Sequence, residues 1–313
     1  MVTEYVIEPH WANWMLTVEM FAAGLAAGIL FFIALANLAG NAQDREVAAR
    51  LGFLPAPLMV VVAVLLIVDL GQPGRFLNLL FTHPLAAERA GPFMFNANSP
   101  MNWGTWIIAI FGLLTVVPFL DALSHIGRLP VARGIVEALA HNPLGMILTA
   151  VFALATGSYS GVLINVTNQN VWADTYVLGA LYVAFSALSG FAVAAIVADR
   201  MKASQTAGAI RSALLMTAIV AGVTTAIFVG NLMAVGQAGP LIGSMTDLVA
   251  PLFWVGVVGL AVLYPIVTIV VGPRLSFSRV RPAQLAVIGA VVLVGVLAFR
   301  WSLLHSALVA VGP

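Results

Sequence analysis

The chain has no cysteine, so it can form no disulfide of its own, offer no thiolate nucleophile and hold no cysteine-ligated iron-sulfur cluster. Charge is nearly as scarce. Asp, Glu, Lys and Arg make up 8% of 313 residues, against about a quarter in a soluble domain. Thirteen basic and twelve acidic residues scarcely furnish the surface that a soluble fold of this length needs. The formal net charge of +1 gives no sign of a nucleic-acid partner. The opening "MVTEYVIEPHWANWM" has two glutamates and neither Lys nor Arg. It therefore lacks the arrangement of a cleavable signal peptide, and residue 1 is expected to belong to the mature protein. Internal repeats, low-complexity tails and loops long enough for a second soluble domain are also missing. The expected organisation is a single integral membrane domain, 1–313.

What remains is mostly apolar: 62% of residues, with a mean hydropathy of +1.05. Eight apolar segments are long enough to cross about 30 Å of hydrocarbon. They lie near 14–38, 54–70, 102–121, 143–165, 175–198, 212–234, 248–271 and 284–309. Backbone amides in lipid must be satisfied within the segment, and the shorter alternating segments of a barrel are absent, so these spans are helices. The fold class is all-α: a polytopic bundle of eight transmembrane helices.

The basic residues orient it. Loops after the first, third, fifth and seventh spans carry Arg45, Arg50, Arg128, Arg133, Arg200, Lys202, Arg211, Arg274, Arg279 and Arg281, while the other side has only Arg75 and Arg89. That bias predicts the first set in the cytoplasm and both termini, with the Asp69–Met101 loop, on the outer (periplasmic) side of the cytoplasmic (inner) membrane.

Ionisable groups at membrane depth come next, since each is costly unless paired or facing water. Glu19, Asp69, Tyr159, Arg300 and His305 all fall in the outer half, with Arg75 just beyond Asp69. A carboxylate, a phenol, an arginine and a histidine at one depth suit a polar headgroup that exchanges protons, and a quinone is such a group. Structural roles stay open for each: Asp69 with Arg75 as a loop-capping ion pair, Arg300 neutralising Glu19 or reaching the interface, Tyr159 as an interhelical hydrogen bonder, His305 as an interfacial residue. Trp11, Trp14, Trp103, Trp106 and Trp172, near predicted outer helix ends, read as an interfacial belt, with Trp11 or Trp14 also placed to line a ligand entrance. In "AAGLAAG", Gly24 and Gly28 share a helix face that admits another backbone. The 71–101 loop contains Phe93, Met94 and Phe95, an apolar triplet that fits either a docked protein or folding back onto the loop's own helices.

"DLGQPGRFLNLL" followed by "SPMNWGTW", with "EMFAAGLAAG" and "YSGVLI", resembles the signature of the NrfD/PsrC family of polysulfide reductase-like membrane subunits. The resemblance is detailed in the N-terminal half and general in the C-terminal half. It implies a subunit that binds a quinone (menaquinone or ubiquinone) non-covalently, without metal or haem of its own. The implied partners are a ferredoxin-like iron-sulfur subunit on the outer face and a molybdenum-containing catalytic subunit. The family's aspartate, arginine and fourth-helix tyrosine fall on Asp69, Arg75 and Tyr159. Glu19 stands where polysulfide reductase-like members have a histidine near the quinone, and Leu16 where they have an asparagine. Depth and resemblance together make Glu19, Asp69 and Tyr159 the candidate proton-handling residues, and Glu19, Tyr159, Arg75, Trp14, Arg300 and His305 the candidate quinone contacts. Two other classes share much of this pattern: a structural anchor for peripheral redox subunits, and a proton- or ion-translocating subunit.

Overall fold

The computed structural model describes residues 13–81, 92–128, 133–167, 169–244, 248–271 and 282–311. Helix α1 spans Trp14–Ala39, capped by Asn13, whose side chain accepts a hydrogen bond from the Leu16 amide. Next comes α2, Ala42–Leu51, opened by a reciprocal capping box between Asn41 and Asp44. The following helices are α3 (Pro55–Asp69), α4 (Pro100–His125), α5 (Arg133–Ala140), α6 (Pro143–Asn165), α7 (Leu178–Arg200), α8 (Ser204–Ala234), α9 (Val249–Val270) and α10 (Pro282–Val311). Among the described residues, eight helical stretches are long and apolar enough to span a membrane, with α2 and α3 forming one of them.

All eight expected spans are present, with shifted ends. The second differs in kind: its approach is the separate helix α2, which turns through Gly52–Leu54 into α3, where Pro55 takes the first-turn position that needs no amide donor. The fifth starts at Leu178 rather than 175, and the sixth at Ser204 rather than 212. Helix α9 winds as a π-helix over Leu252–Leu263, where Gly256 and Gly295 bring it close to α10.

Helices α1 and α7 form the centre, flanked by α6 and α10, and their packing rests on small residues. A Cβ on Gly28 would stand 1.9 Å from the Ser186 carbonyl oxygen, and one on Gly190 would stand 2.0 Å from the Gly28 carbonyl carbon. The two backbones thus touch where lipid-soluble side chains alone give no hydrophobic drive to associate. The outer flanks of α3, α4 and α8 expose Val60, Val64, Leu113 and Met216, apolar surfaces suited to lipid.

Trp172 corrects the expected interfacial belt. It is fully buried, and its indole Nε1 donates to the Leu303 carbonyl of α10 at 2.8 Å. Asp121 is also buried, with Oδ2 3.6 Å from His125 Nε2.

Candidate functional site

One end of the bundle is built by "DLGQPGRFLNLL" and "SPMNWG". Helix α3 ends at Asp69, and Gly71, at φ +70°, turns the chain into a short 3-10 helix, Pro73–Leu79. From the other side Ser99 caps α4, and Pro100 starts it. Asn102, buried in the first turn of α4, holds the two pieces together. Its Nδ2 donates to the carbonyls of Leu79 (2.9 Å) and Met94 (3.3 Å), and its Oδ1 accepts from the Asn96 amide at 2.9 Å. The indoles of Trp103 and Trp106 donate to the carbonyls of Ala97 and Met94. The Phe93 ring rests against Phe81 and Trp106, and Phe95 against Trp103. The loop's described residues therefore pack on their own helices, while Phe93 and Phe95 keep exposed faces. Residues 82–91 of the loop, and Trp11, lie outside the described residues.

Beneath this roof lies a cavity of about 240 Å³ bounded by α1, α3, α4, α6 and the 3-10 helix. Its walls are apolar, including Leu66, Ile67, Phe76, Leu80, Ile108 and Leu163. Polar groups enter from Glu19, Thr105, Tyr159 and Ser160. Glu19 is 4% exposed, and Tyr159 is half-buried. The two interact electrostatically, yet neither has a hydrogen-bond or ion-pair partner among the described residues. Gly104 makes room for the tyrosine: a Cβ there would fall 1.6 Å from Tyr159 Cζ. The glycine of "SPMNWG" on α4 thus fixes where the Tyr159 phenol of α6 can lie.

The other expected site residues divide. Asp69 is half-buried at the rim and accepts from Asn13 Nδ2 at 3.3 Å. The capping ion pair with Arg75 is not formed: among the described residues no ion pair joins them, and Arg75 is exposed on the 3-10 helix. Trp14 is 61% exposed and outside the cavity lining. His305 also lies off the lining, stacked on Trp301 at 3.8 Å with Nδ1 on the Trp301 carbonyl.

Arg300 is 1% exposed and sits behind the cavity, between α10, α7 and α1. Its guanidinium carbon lies 3.9 Å from the centre of the Tyr182 ring, and Nη2 donates to Ser186 Oγ at 3.1 Å. A Cβ on Gly24 would meet that Nη2 at 2.6 Å, so the first-helix glycines also make space for a buried cation. Nε and Nη1 have no protein hydrogen-bond partner among the described residues. Arg300 interacts electrostatically with Glu19 without coming within ion-pair distance. It is a charge set behind the carboxylate, not a wall of the cavity.

Sequence reading missed Asn102, Gly104 and the Tyr182–Ser186 cradle of Arg300. A signal for the first existed: an asparagine buried in the first turn after a Ser-Pro start, beside a loop short of charge. Replacing Asn102 with Ala leaves the Leu79 and Met94 carbonyls without this donor. It is expected to lower stability by about 1–3 kcal/mol and to loosen the roof, read as faster hydrogen exchange at Leu79–Phe81 and Met94–Asn96 with the spans unaffected.

The fold and site define a multi-pass helical membrane protein with an apolar cavity at one bundle end, entered by a carboxylate and a phenol. The chain matches the family described as "Polysulphide reductase, NrfD" over residues 7–312, and it belongs to that family. It is 24% identical over 317 residues to Protein NrfD of Escherichia coli (strain K12), covering 94% of each protein. It is 25% identical over 325 residues to the C subunit of the polysulfide reductase of Wolinella succinogenes, covering 96% of this protein and 95% of that one. Among the described residues, no His, Cys, Asp and Glu grouping could hold a metal ion.

Proposed function

We propose that the protein is the quinone-interacting membrane subunit of a respiratory oxidoreductase complex, exchanging electrons between the quinone pool and an iron-sulfur partner. One observation carries this reading: Glu19 and Tyr159, both without protein partners among the described residues, enter the same apolar cavity. A quinone ring suits those walls, and its oxygens require the hydrogen-bond and proton partners that a carboxylate and a phenol offer. Membership of the NrfD family supports it, as does the likeness to a protein named as part of a polysulfide reductase.

A bound quinone supplies the two-electron, two-proton redox chemistry. The Tyr159 hydroxyl donates a hydrogen bond to an oxygen of the ring, held in place by the bare Cα of Gly104. Glu19 takes or returns the proton at its carboxylate, with Arg300 behind it to moderate the charge. Leu66, Phe76, Ile108 and Leu163 keep water from the ring. Asp69 at the rim is the outer group that exchanges the proton with water, and Arg75 beyond it adds a fixed positive charge. Arg300 acts from behind the cavity, while Trp14 and His305 stand off its lining.

The partner in this reading is a ferredoxin-like iron-sulfur subunit, joined to a molybdenum-containing catalytic subunit. It docks on the outer face over the 71–101 loop, where Phe93 and Phe95 are exposed. Both termini are then periplasmic and the protein lies in the inner membrane. Replacing Tyr159 with Phe removes one hydrogen bond and leaves the ring; quinol-linked turnover of the purified complex is expected to fall about tenfold, mostly through a higher KM for quinol. A complex that holds no quinone and ignores quinone-site inhibitors would instead mark a structural anchor, and turnover-independent ion flux in liposomes would mark a transporter.

A further inference from the structure

At the opposite end of the same α3–α4 seam lies a second, larger hollow of about 560 Å³. Its lining comes from α2, the α2–α3 turn, the end of α4 and the residue after α5. Arg45, Arg50, His125 and His141 surround an apolar floor of Ala49, Phe53 and Ile126. Among the described residues Glu46 is the single carboxylate on the lining, 3.9 Å from Arg50 across an exposed gap, and an exposed pair of that kind contributes little. Asp121, off the lining, engages His125. Arg45 is exposed and has no ion-pair partner among the described residues. His141 Nδ1 donates to the Glu137 carbonyl at 2.9 Å, which fixes the ring and leaves Nε2 as its other polar atom.

We infer that this hollow is a binding site for the phosphate of an anionic phospholipid. Two guanidiniums and two imidazoles on one rim match a phosphate, whose oxygens accept the paired N–H donors of arginine. The apolar floor chooses lipid over a soluble phosphate. It sits at the N-terminal end of α3, where basic pockets between membrane helices take anionic headgroups, and α3 and α4 expose the apolar Leu54, Val61, Leu113 and Val116. An acyl chain anchored at Phe53 has a further consequence. From Pro55 to Ala63, the first α3 residue lining the upper cavity, α3 rises about 12 Å, and one leaflet of hydrocarbon is about 15 Å deep. An acyl chain running beside α3 from this site is therefore long enough to reach the level of Ala63.

The test uses the full-length protein, purified in detergent and reconstituted in nanodiscs of phosphatidylcholine with added phosphatidylglycerol, with retained lipid counted by native mass spectrometry. The expected result is that phosphatidylglycerol is retained, and that the Arg45→Gln, Arg50→Gln double variant lowers its affinity about thirtyfold. Arg128→Gln, exposed at the same end but off the lining, should leave it unchanged. Equal retention by all three proteins overturns the site. Thermal stabilisation by inorganic phosphate equal to that by phosphatidylglycerol overturns the lipid assignment in favour of a soluble anion.

Discussion

Glu19→Gln is expected to lower quinol-linked turnover of the assembled complex by about 100-fold or more, while the subunits still purify together. Glutamine keeps the side chain's length and its hydrogen-bonding oxygen but cannot take a proton. Positioned acid–base groups contribute about 10²–10⁴ in rate. The carboxylate is suited to that role by its surroundings: it is almost wholly buried, faces the apolar cavity and has no protein hydrogen bond among the described residues to hold its proton. Loss of turnover through misfolding is separable, because Glu19 makes no hydrogen bond or ion pair among the described residues that glutamine would abandon, and only its longer-range attraction to Arg300 is lost. Melting temperature and subunit content should match the unaltered complex. Glu19→Asp, which still titrates but stands one methylene short, should recover part of the rate. Turnover of Glu19→Gln within about threefold of the unaltered complex would sink the proton-handling assignment and shift weight to a purely anchoring subunit.

The eight spans were legible because hydropathy reports depth directly, and the polar signature of the α3–α4 turn was legible because Gly71, Pro73 and Pro100 punctuate it. Rotation about each helix axis was harder, since it depends on which neighbour a face meets. Depth alone grouped Arg300 and His305 with Glu19, yet Arg300 faces Tyr182 and Ser186 on α7, and His305 folds onto Trp301 one turn before it. Trp172 looked interfacial because its partner, the Leu303 carbonyl, lies 131 residues away. Helix α2 escaped notice because its ten residues, "AQDREVAARL", are polar and too short for a span. One azimuth was readable in principle. Glu19 and Gly28 are nine residues apart, which is about 180° around an α-helix, so a glycine face packed on a neighbour turns Glu19 the opposite way, toward α3, α4 and α6. The glycine spacing and the buried carboxylate are two sides of one constraint on α1.

That constraint makes Gly28 the position where a single added group should do most harm. Gly28→Val is expected to destabilise the protein by more than about 3 kcal/mol, the upper end of ordinary overpacking, with a lower melting temperature in detergent and a smaller folded yield. The clash is with main chain: a Cβ at 28 would lie 1.9 Å from the Ser186 carbonyl oxygen and 2.7 Å from the Gly190 amide nitrogen. A flexible side chain can rotate away from such a contact, but α7 can move only as a whole. Withdrawing α7 from α1 would also open the place where Gly24 of α1 closes over the Arg300 guanidinium held by Tyr182 and Ser186 of α7. Gly112→Val is the matching control: a Cβ at 112 meets nothing within 4 Å, so the same substitution on α4 should shift the melting temperature little. Equal melting of the two variants would mean that the α1–α7 backbones are not in contact, and the cradle placing Arg300 behind Glu19 would fall with that contact.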